Sequence, residues 1–427
     1  MPDTRIQTVP DGDIHGPYAM LTLGERMYAH DLGGDGILLF VGEAAPVPGV
    51  RVFHRDTKQE LGKFPPPSRG HIVPFKFRLK SYRPLGQNGS EGSVYVMDGV
   101  YPKIVGLYDT LILEYEYRYD GRGDLRVNLA KEYRIRSNTV PFDQMQKGTP
   151  PDGAMYPTGF DLIDNDRIVL TDCFAGAIWV FDLKTEALTA AFTHPDFLPQ
   201  PWPEDLKITL PDGSVQDGFS GWTHHDRSRL VPYLHQIPFS PGVPKMMPGL
   251  HGVTIYKNGT NEKVVFVSVA RGGIYSLDVS ELLRSDIPCW GKRFDTVVPD
   301  IRGVSSHVTE VQADTFNPTS PWIYFQRALS RSNEVADRGY EIWKEKYNPL
   351  YRVNIETRRV EFVAEDWKLW DFVSNLNVIP GEPGSIRLTS TPTQQHRLPG
   401  ASGLIADPDD YSRLPKDFVF PVIDVKG

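Results

Sequence analysis

The sequence predicts an all-β fold, a six-bladed β-propeller with long lid insertions, and three observations carry that expectation. The first is composition: 427 residues hold 38 Gly, 37 Pro, 21 Phe, 19 Tyr and 8 Trp, which describes short strands joined by many turns. The second is an internal repeat. RIVLTDCFAGAIWVFDLKT (167–185) matches KVVFVSVARGGIYSLDVSE (263–281) position by position. Each copy has a basic residue, an apolar β run and a gap closed by Gly176 or Gly272. An Ile-aromatic pair and an Asp (Asp182, Asp278) follow. Such a unit reads as two antiparallel strands joined by a tight turn. The third is the recurrence of weaker copies along the chain, the signature of blades that bury one another's faces.

Taken in order, the inner-strand leads fall near Val41, His71, Tyr156, Leu250, Ser306 and Trp370. GVRVFHRDTKQEL (49–61) supplies an outer strand and GSVYVMDGV (92–100) an inner one. SPWIYFQRAL (320–329) and PLYRVNIETRRVEFV (349–363) repeat the strand pair across a charged insertion. The segments 18–32 and 418–425 are both strand-like, and one is expected to complete the last blade from the other end of the chain. The expectation is a single domain over 1–427. Two stacked β-sandwiches are the competing fold, but they would not repeat the unit this closely.

Six blades would share the 427 residues at about 71 each, against the ~40–50 that a bare blade needs. The surplus is expected as a lid at 186–249, which carries ten prolines and the aromatics Phe197, Trp202, Phe219, Trp222, Tyr233 and Phe239. Further insertions are expected at 327–348 and 379–402.

The charge balance excludes some function classes. With 46 Lys+Arg, 54 Asp+Glu and a net charge of −8, nucleic acid and anionic membrane are not expected partners. No uncharged apolar run reaches the roughly 18 residues of a membrane span. Two cysteines, Cys173 and Cys289, leave room for one bridge and none for a disulfide scaffold. The polar N-terminus lacks an apolar signal-length stretch. The sequons at Asn88 and Asn258 tilt the expected location towards the secretory pathway, with the cytoplasm as the alternative. A monomer or weak homodimer with a small-molecule substrate is expected.

In a propeller the first residues of each inner strand line the central channel. Those positions are Glu43, His71, Thr158, His251, His307 and Asp371, so three of eleven histidines share one register with two carboxylates. Three readings compete. The ring holds a divalent metal through Glu43, His251 and His307. It is a metal-free pocket in which His and Glu/Asp act as acid and base. Or the histidines merely cap strand ends. Trp202, Phe219, Trp222, Tyr233 and Thr158 are the candidate substrate walls, and His224-His225 the candidate lid histidines. Tyr351, Trp343 and Trp179 read as packing between blades. No nucleophile elbow, phosphate loop, dinucleotide fingerprint or HExxH helix occurs.

The stretches YPTGFDLIDNDRIVLTDCFAGAIWVFDLKT and GLHGVTIYKNGTNEKVVFVSVARGGIYSLD resemble the six-bladed propellers of the gluconolactonase/regucalcin and strictosidine-synthase superfamily. The segment from FTHPDFLP to GLHGVTIY, with DVSELL, is similar to the yellow/major-royal-jelly branch. The lactonase resemblance implies a catalytic cation, typically calcium, with Glu43 matching its first-blade Glu. Its later Asn is replaced here by Thr158 and His251, and imidazole suits calcium poorly. The strictosidine-synthase resemblance implies condensation without a metal. Similar propellers are recruited for cyclisations such as hetero-Diels–Alder steps, which need orientation, water exclusion and a hydrogen bond to a developing oxyanion. The expected activity is therefore a natural-product cyclase or condensing enzyme without a cofactor. His71, His251 and His307 would be its acid/base groups, and Glu43 and Asp371 their orienting carboxylates. A lactonase or esterase using calcium or zinc, and a non-catalytic secreted binder, are the alternatives.

Overall fold

A computed structural model of the chain describes residues 29–43, 49–98, 110–135, 157–198, 249–299, 307–328, 350–364, 372–391 and 422–426, a few single positions and the pair 173–174 excepted, with short pieces between 200 and 247. These residues form an all-β propeller. The first blade is β1 (Ala29–Gly34), β2 (Leu38–Glu43), β3 (Gly49–His54) and β4 (Glu60–Lys63). The second is β5 (Pro74–Leu85), β6 (Gly89–Asp98), β7 (Thr110–Tyr119) and β8 (Leu125–Ile135). The third is β9 (Pro157–Leu162), β10 (Arg167–Asp172), β11 (Ala177–Asp182) and β12 (Ala187–Thr193).

Two small ladders follow: β13 (Gln200–Pro201) pairs with β16 (Met246–Met247), and β14 (Lys207–Thr209) with β15 (Val215–Asp217). The fourth blade is β17 (Leu250–Asn258), β18 (Asn261–Ser268), β19 (Gly273–Asp278) and β20 (Asp295–Val298). The fifth is β21 (His307–Ala313), β22 (Trp322–Ala328), β23 (Leu350–Asn354) and β24 (Val360–Ala364). A last sheet has β25 (Phe372–Val378), β26 (Ser385–Thr391) and β27 (Val422–Lys426).

Five four-stranded blades are thus described, not the six expected. The last sheet has three strands among the described residues and lies between the fifth blade and the first. The first strand of each sheet is the innermost: β1, β5, β9, β17, β21 and β25 contact one another around a central channel. The expected exchange of a terminal strand is absent from the described residues. β1 pairs within its own blade, and β27 adds in chain order to β26. Among the described residues, polar contacts bridge the seam. Arg55 forms an ion pair with Glu382, and Arg387 Nη1 donates to the Asp35 carbonyl at 3.4 Å.

Three boundaries also move. Residues 187–193 are the outer strand of the third blade, so the expected lid does not begin at 186. Its excursion is tied at the Gln200–Met247 ladder. Residues 385–391 are the middle strand of the last sheet rather than part of an insertion. Arg327 and Ala328, expected in an insertion at 327–348, end β22, and residues 329–348 lie outside the described residues.

The repeat forms as paired strands, but its apolar strand stands second in the blade, as does GSVYVMDGV in β6, which was expected as an inner strand. β10 pairs with β11 from Arg167↔Asp182, and β18 with β19 from Lys263↔Asp278. Both are the middle strands of their blades, which explains their unbroken apolar runs: each strand is covered on both faces. Asp172 and Ser268, different residues at one repeat position, do the same work. Asp172 Oδ1 accepts from Ala175 N at 3.0 Å and Ser268 Oγ from Arg271 N at 3.4 Å. The closing Asp residues diverge. Asp182 caps the turn through Lys184 N and Thr185 N, whereas Asp278 pairs with Lys263 at 2.8 Å.

Gly176 has φ +56°, and a Cβ there would lie 2.6 Å from the Phe197 carbonyl oxygen. Gly176→Ala is expected to destabilise the protein by about 1–3 kcal/mol in urea unfolding, the range for a strained backbone position. An unchanged midpoint would show that the turn relaxes.

Radial faces carry the hydrophobic core. Trp179, Phe160 and Leu170 of the third blade pack against Tyr95, Met97 and Ile112 of the second. Tyr351 and Phe325 of the fifth pack against Tyr256 and Val267 of the fourth. Trp179 and Tyr351 therefore pack between blades, as read; Trp343 lies outside the described residues. Each such side chain contributes about 1.5–3 kcal/mol of burial. Among the described residues no helix is long and apolar enough to cross a membrane.

Candidate functional site

The inner strands carry polar side chains at alternate positions, because one face of each lines the channel. In β5, Lys76 and Arg78 are buried, while Phe77 takes the other face and packs against Gly33 and Gly42. In β21, Glu310 and Gln312 are buried. In β25, Asn377 Nδ2 donates to Asn375 Oδ1 at 2.8 Å.

Three of these strands build the central cluster. The Lys76 ammonium contacts Glu310 Oε1 from the opposite side of the ring, and His251 Nδ1 of β17 lies 3.3 Å from the same oxygen. His251 and Glu310 are each 1% exposed and Lys76 2%. Burial alone would push the Glu310 carboxyl up. The Lys76 ammonium and His251 outweigh burial and hold it below the ordinary carboxylate range. A carboxylate facing Nδ1 fixes the imidazole with Nδ1–H towards the acid, which makes Nε2 the basic nitrogen.

The blade behind sets the position of His251. The Thr171 hydroxyl donates to the His251 carbonyl, and a Cβ on Gly159 would stand 2.6 Å from that oxygen. Thr158, expected as a substrate contact, is fully buried and its hydroxyl donates to the Leu250 carbonyl at 3.1 Å. It ties two blades together.

A second polar layer lies two residues further along the same strands. Arg78 Nη2 donates to the Val253 carbonyl at 3.2 Å, and its Nε lies 3.7 Å from Asp161 Oδ1. Asp161 Oδ2 accepts from Thr254 Oγ1 at 3.0 Å and Ile255 N at 2.7 Å. Beyond this layer the channel opens into a cavity of about 280 Å³ at the mouth where the inner strands end. The sequence placed the pocket at the other mouth.

The expected site residues divide three ways. His251 stands in the channel, joined by Glu310 and Lys76, which the sequence reading missed. Glu43 falls at the end of β2, opposite Ala29, because the innermost strand of the first blade is β1 and not the strand near Val41. His307 begins β21, paired with Ala328. His71, Asp371, Trp202, Phe219, Trp222, Tyr233, His224 and His225 lie outside the described residues, as does Cys173. Cys289 is buried, 3.5 Å from the Thr193 hydroxyl. The signal that would have found Lys76, Arg78, Glu310 and Gln312 is polar alternation inside PFKFRLK and VTEVQAD.

A divalent cation fits the described part of this cluster poorly. The ammonium of Lys76 occupies the carboxylate that His251 would share with a metal, and its charge opposes a second cation. Among the described residues no three His, Cys, Asp or Glu side chains converge as ligands.

Fold and channel together define a β-propeller with a polar, ionised centre. No family model and no curated protein matches the chain. Solved structures with a similar fold include the β-propeller domain of Cps50 (Swd1) from Myceliophteria thermophila, 10% identical over 86% of this chain and 95% of that one, TM-score 0.39. Virginiamycin B lyase from Staphylococcus aureus is 10% identical over 84% and 90%, TM-score 0.37. A putative 6-phosphogluconolactonase from Bacteroides uniformis is 13% identical over 83% and 89%, TM-score 0.37. The likeness is one of fold.

Proposed function

We propose that this propeller is a small-molecule enzyme that holds an oxygenated organic substrate in the channel. It promotes ring formation or condensation without a redox cofactor. The observation that carries the reading is the buried set Lys76–Glu310–His251, in which a carboxylate kept ionised by an ammonium orients an imidazole. His251 Nε2 takes a proton from a substrate hydroxyl or an enolisable carbon. Glu310 stabilises the imidazolium so formed, and the proton returns to the product. The arrangement is of the general acid–base kind, which contributes about 10²–10⁴-fold to a rate.

The test incubates hydroxylated quinones, lactones and amine–aldehyde pairs with the protein and follows products by mass spectrometry. Expected is a product isomeric with the substrate, or a condensation product lighter by one water. It should form equally in EDTA and be lost in His251→Ala while substrate binding persists. Activity abolished by EDTA and restored by calcium or zinc would instead select the metal-dependent lactonase. Binding with no conversion of any compound would select the non-catalytic binder.

A further inference from the structure

The cavity at the mouth where the inner strands end has the properties of a built binding site, and neither the sequence nor the His251 cluster accounts for it. Its volume of about 280 Å³ sits at the lower edge of small-molecule sites, roughly 300–1,000 Å³. Two polar side chains from opposite sides of the ring line it, and both are more than nine-tenths buried. Gln312 is 3% exposed. Its amide nitrogen donates to the Ala313 carbonyl at 2.8 Å, but its Oε1 is buried with no hydrogen-bond partner among the described residues. Arg78 is 5% exposed. Both terminal nitrogens donate to carbonyls, of Phe77 and Val253, while Nε is 3.7 Å from Asp161 and makes no hydrogen bond there. A buried acceptor and a buried donor left unsatisfied each cost about 1–3 kcal/mol; both atoms are closed off from solvent, so a ligand relieves that cost by drawing each side chain slightly towards the cavity.

The remaining charges at this mouth are already engaged. Lys80 pairs with Glu114 at 2.7 Å, and Lys257 donates to the Ile163 carbonyl at 2.7 Å. Asp314 is 8% exposed, and burial raises its carboxyl. Nothing here calls for a charged ligand. Ile255, Val378 and the rim residue Phe316 supply apolar wall.

We propose that this mouth binds a compact, uncharged ring compound bearing both a hydroxyl and a carbonyl. The hydroxyl donates to Gln312 Oε1, the carbonyl oxygen accepts from Arg78 Nε, and the ring lies against the apolar wall. The proposal stands independently of catalysis at His251.

The probe is 4-hydroxyacetophenone, titrated into the full chain by calorimetry, with amide shifts read by NMR. Saturable binding is expected, with shifts at Gly33, Gly34 and Phe316. Acetophenone, which lacks the hydroxyl, should bind about tenfold more weakly, the worth of one hydrogen bond to a buried acceptor. Gln312→Met should weaken 4-hydroxyacetophenone by a similar factor and leave acetophenone unchanged. His251→Ala should retain the binding, which separates this site from the proposed catalytic one. Absence of saturable binding, equal affinity for the two compounds, or loss of binding in His251→Ala would each overturn the proposal. The comparison of compounds on the unaltered protein stands even if Gln312→Met fails to fold.

Discussion

Glu310→Ala is expected to lower the unfolding free energy by about 3–5 kcal/mol, the cost of leaving a buried charge without its partner. Lys76 is 2% exposed and its ammonium contacts Glu310 across the channel, so removing the carboxylate strands a positive charge in a region of low dielectric. The double variant Lys76→Met/Glu310→Leu should recover most of that loss, because apolar replacements of similar size remove both desolvation costs together. Urea unfolding of the two variants beside the wild type measures this. A loss within about 0.5 kcal/mol for Glu310→Ala would mean that the cluster is hydrated, and the acid–base reading would lose its basis.

The same pair makes stability depend on pH. The folded Glu310 carboxyl titrates below its unfolded value of roughly 4.3. Its contribution is therefore complete above about pH 5 and is lost as pH falls through that value and on through the lowered folded one. The double variant should show a shallower acid limb than the wild type.

Phe197→Ala is expected to cost about 3–5 kcal/mol, the range for truncating a buried aromatic. The sequence placed Phe197 in a lid packed over one end of the channel rather than in the body of the ring. In the structure it is fully buried, with ring centroids of Tyr275, Phe294 and Phe266 at 4.8, 4.9 and 5.4 Å. It plugs the interface between the third and fourth blades. A small loss would return the residue to the lid.

Much of the fold was legible because blades are local. Arg167↔Asp182 and Lys263↔Asp278 are hairpins whose register follows from alternation and from glycines at φ +56° and +68°. The inner-strand starts near Tyr156, Leu250 and Ser306 were legible for the same reason. The first blade was misread because β2, with the apolar run Leu38–Val41, looks more like an inner strand than β1 with its polar His30 and Asp31 does. Lid and blade were confused at 187–197 because ALTAAFTHPDF runs without a glycine break into the proline-rich stretch that follows it.

The site was less legible. His251 stands out in the sequence as a candidate by its place at a strand start, whereas Lys76 and Glu310 sit inside strands where a polar residue reads as a break in an apolar pattern. By itself the sequence determined the repeating unit, since strand, turn and strand are set within some twenty residues by alternation and glycine. Only the tertiary structure decided which polar side chains meet. Lys76 and Glu310 are 234 residues apart, and ring closure alone brings them together. Their interaction has no local signature, because it depends on distance and on exclusion from water, which exist only once the blades have closed.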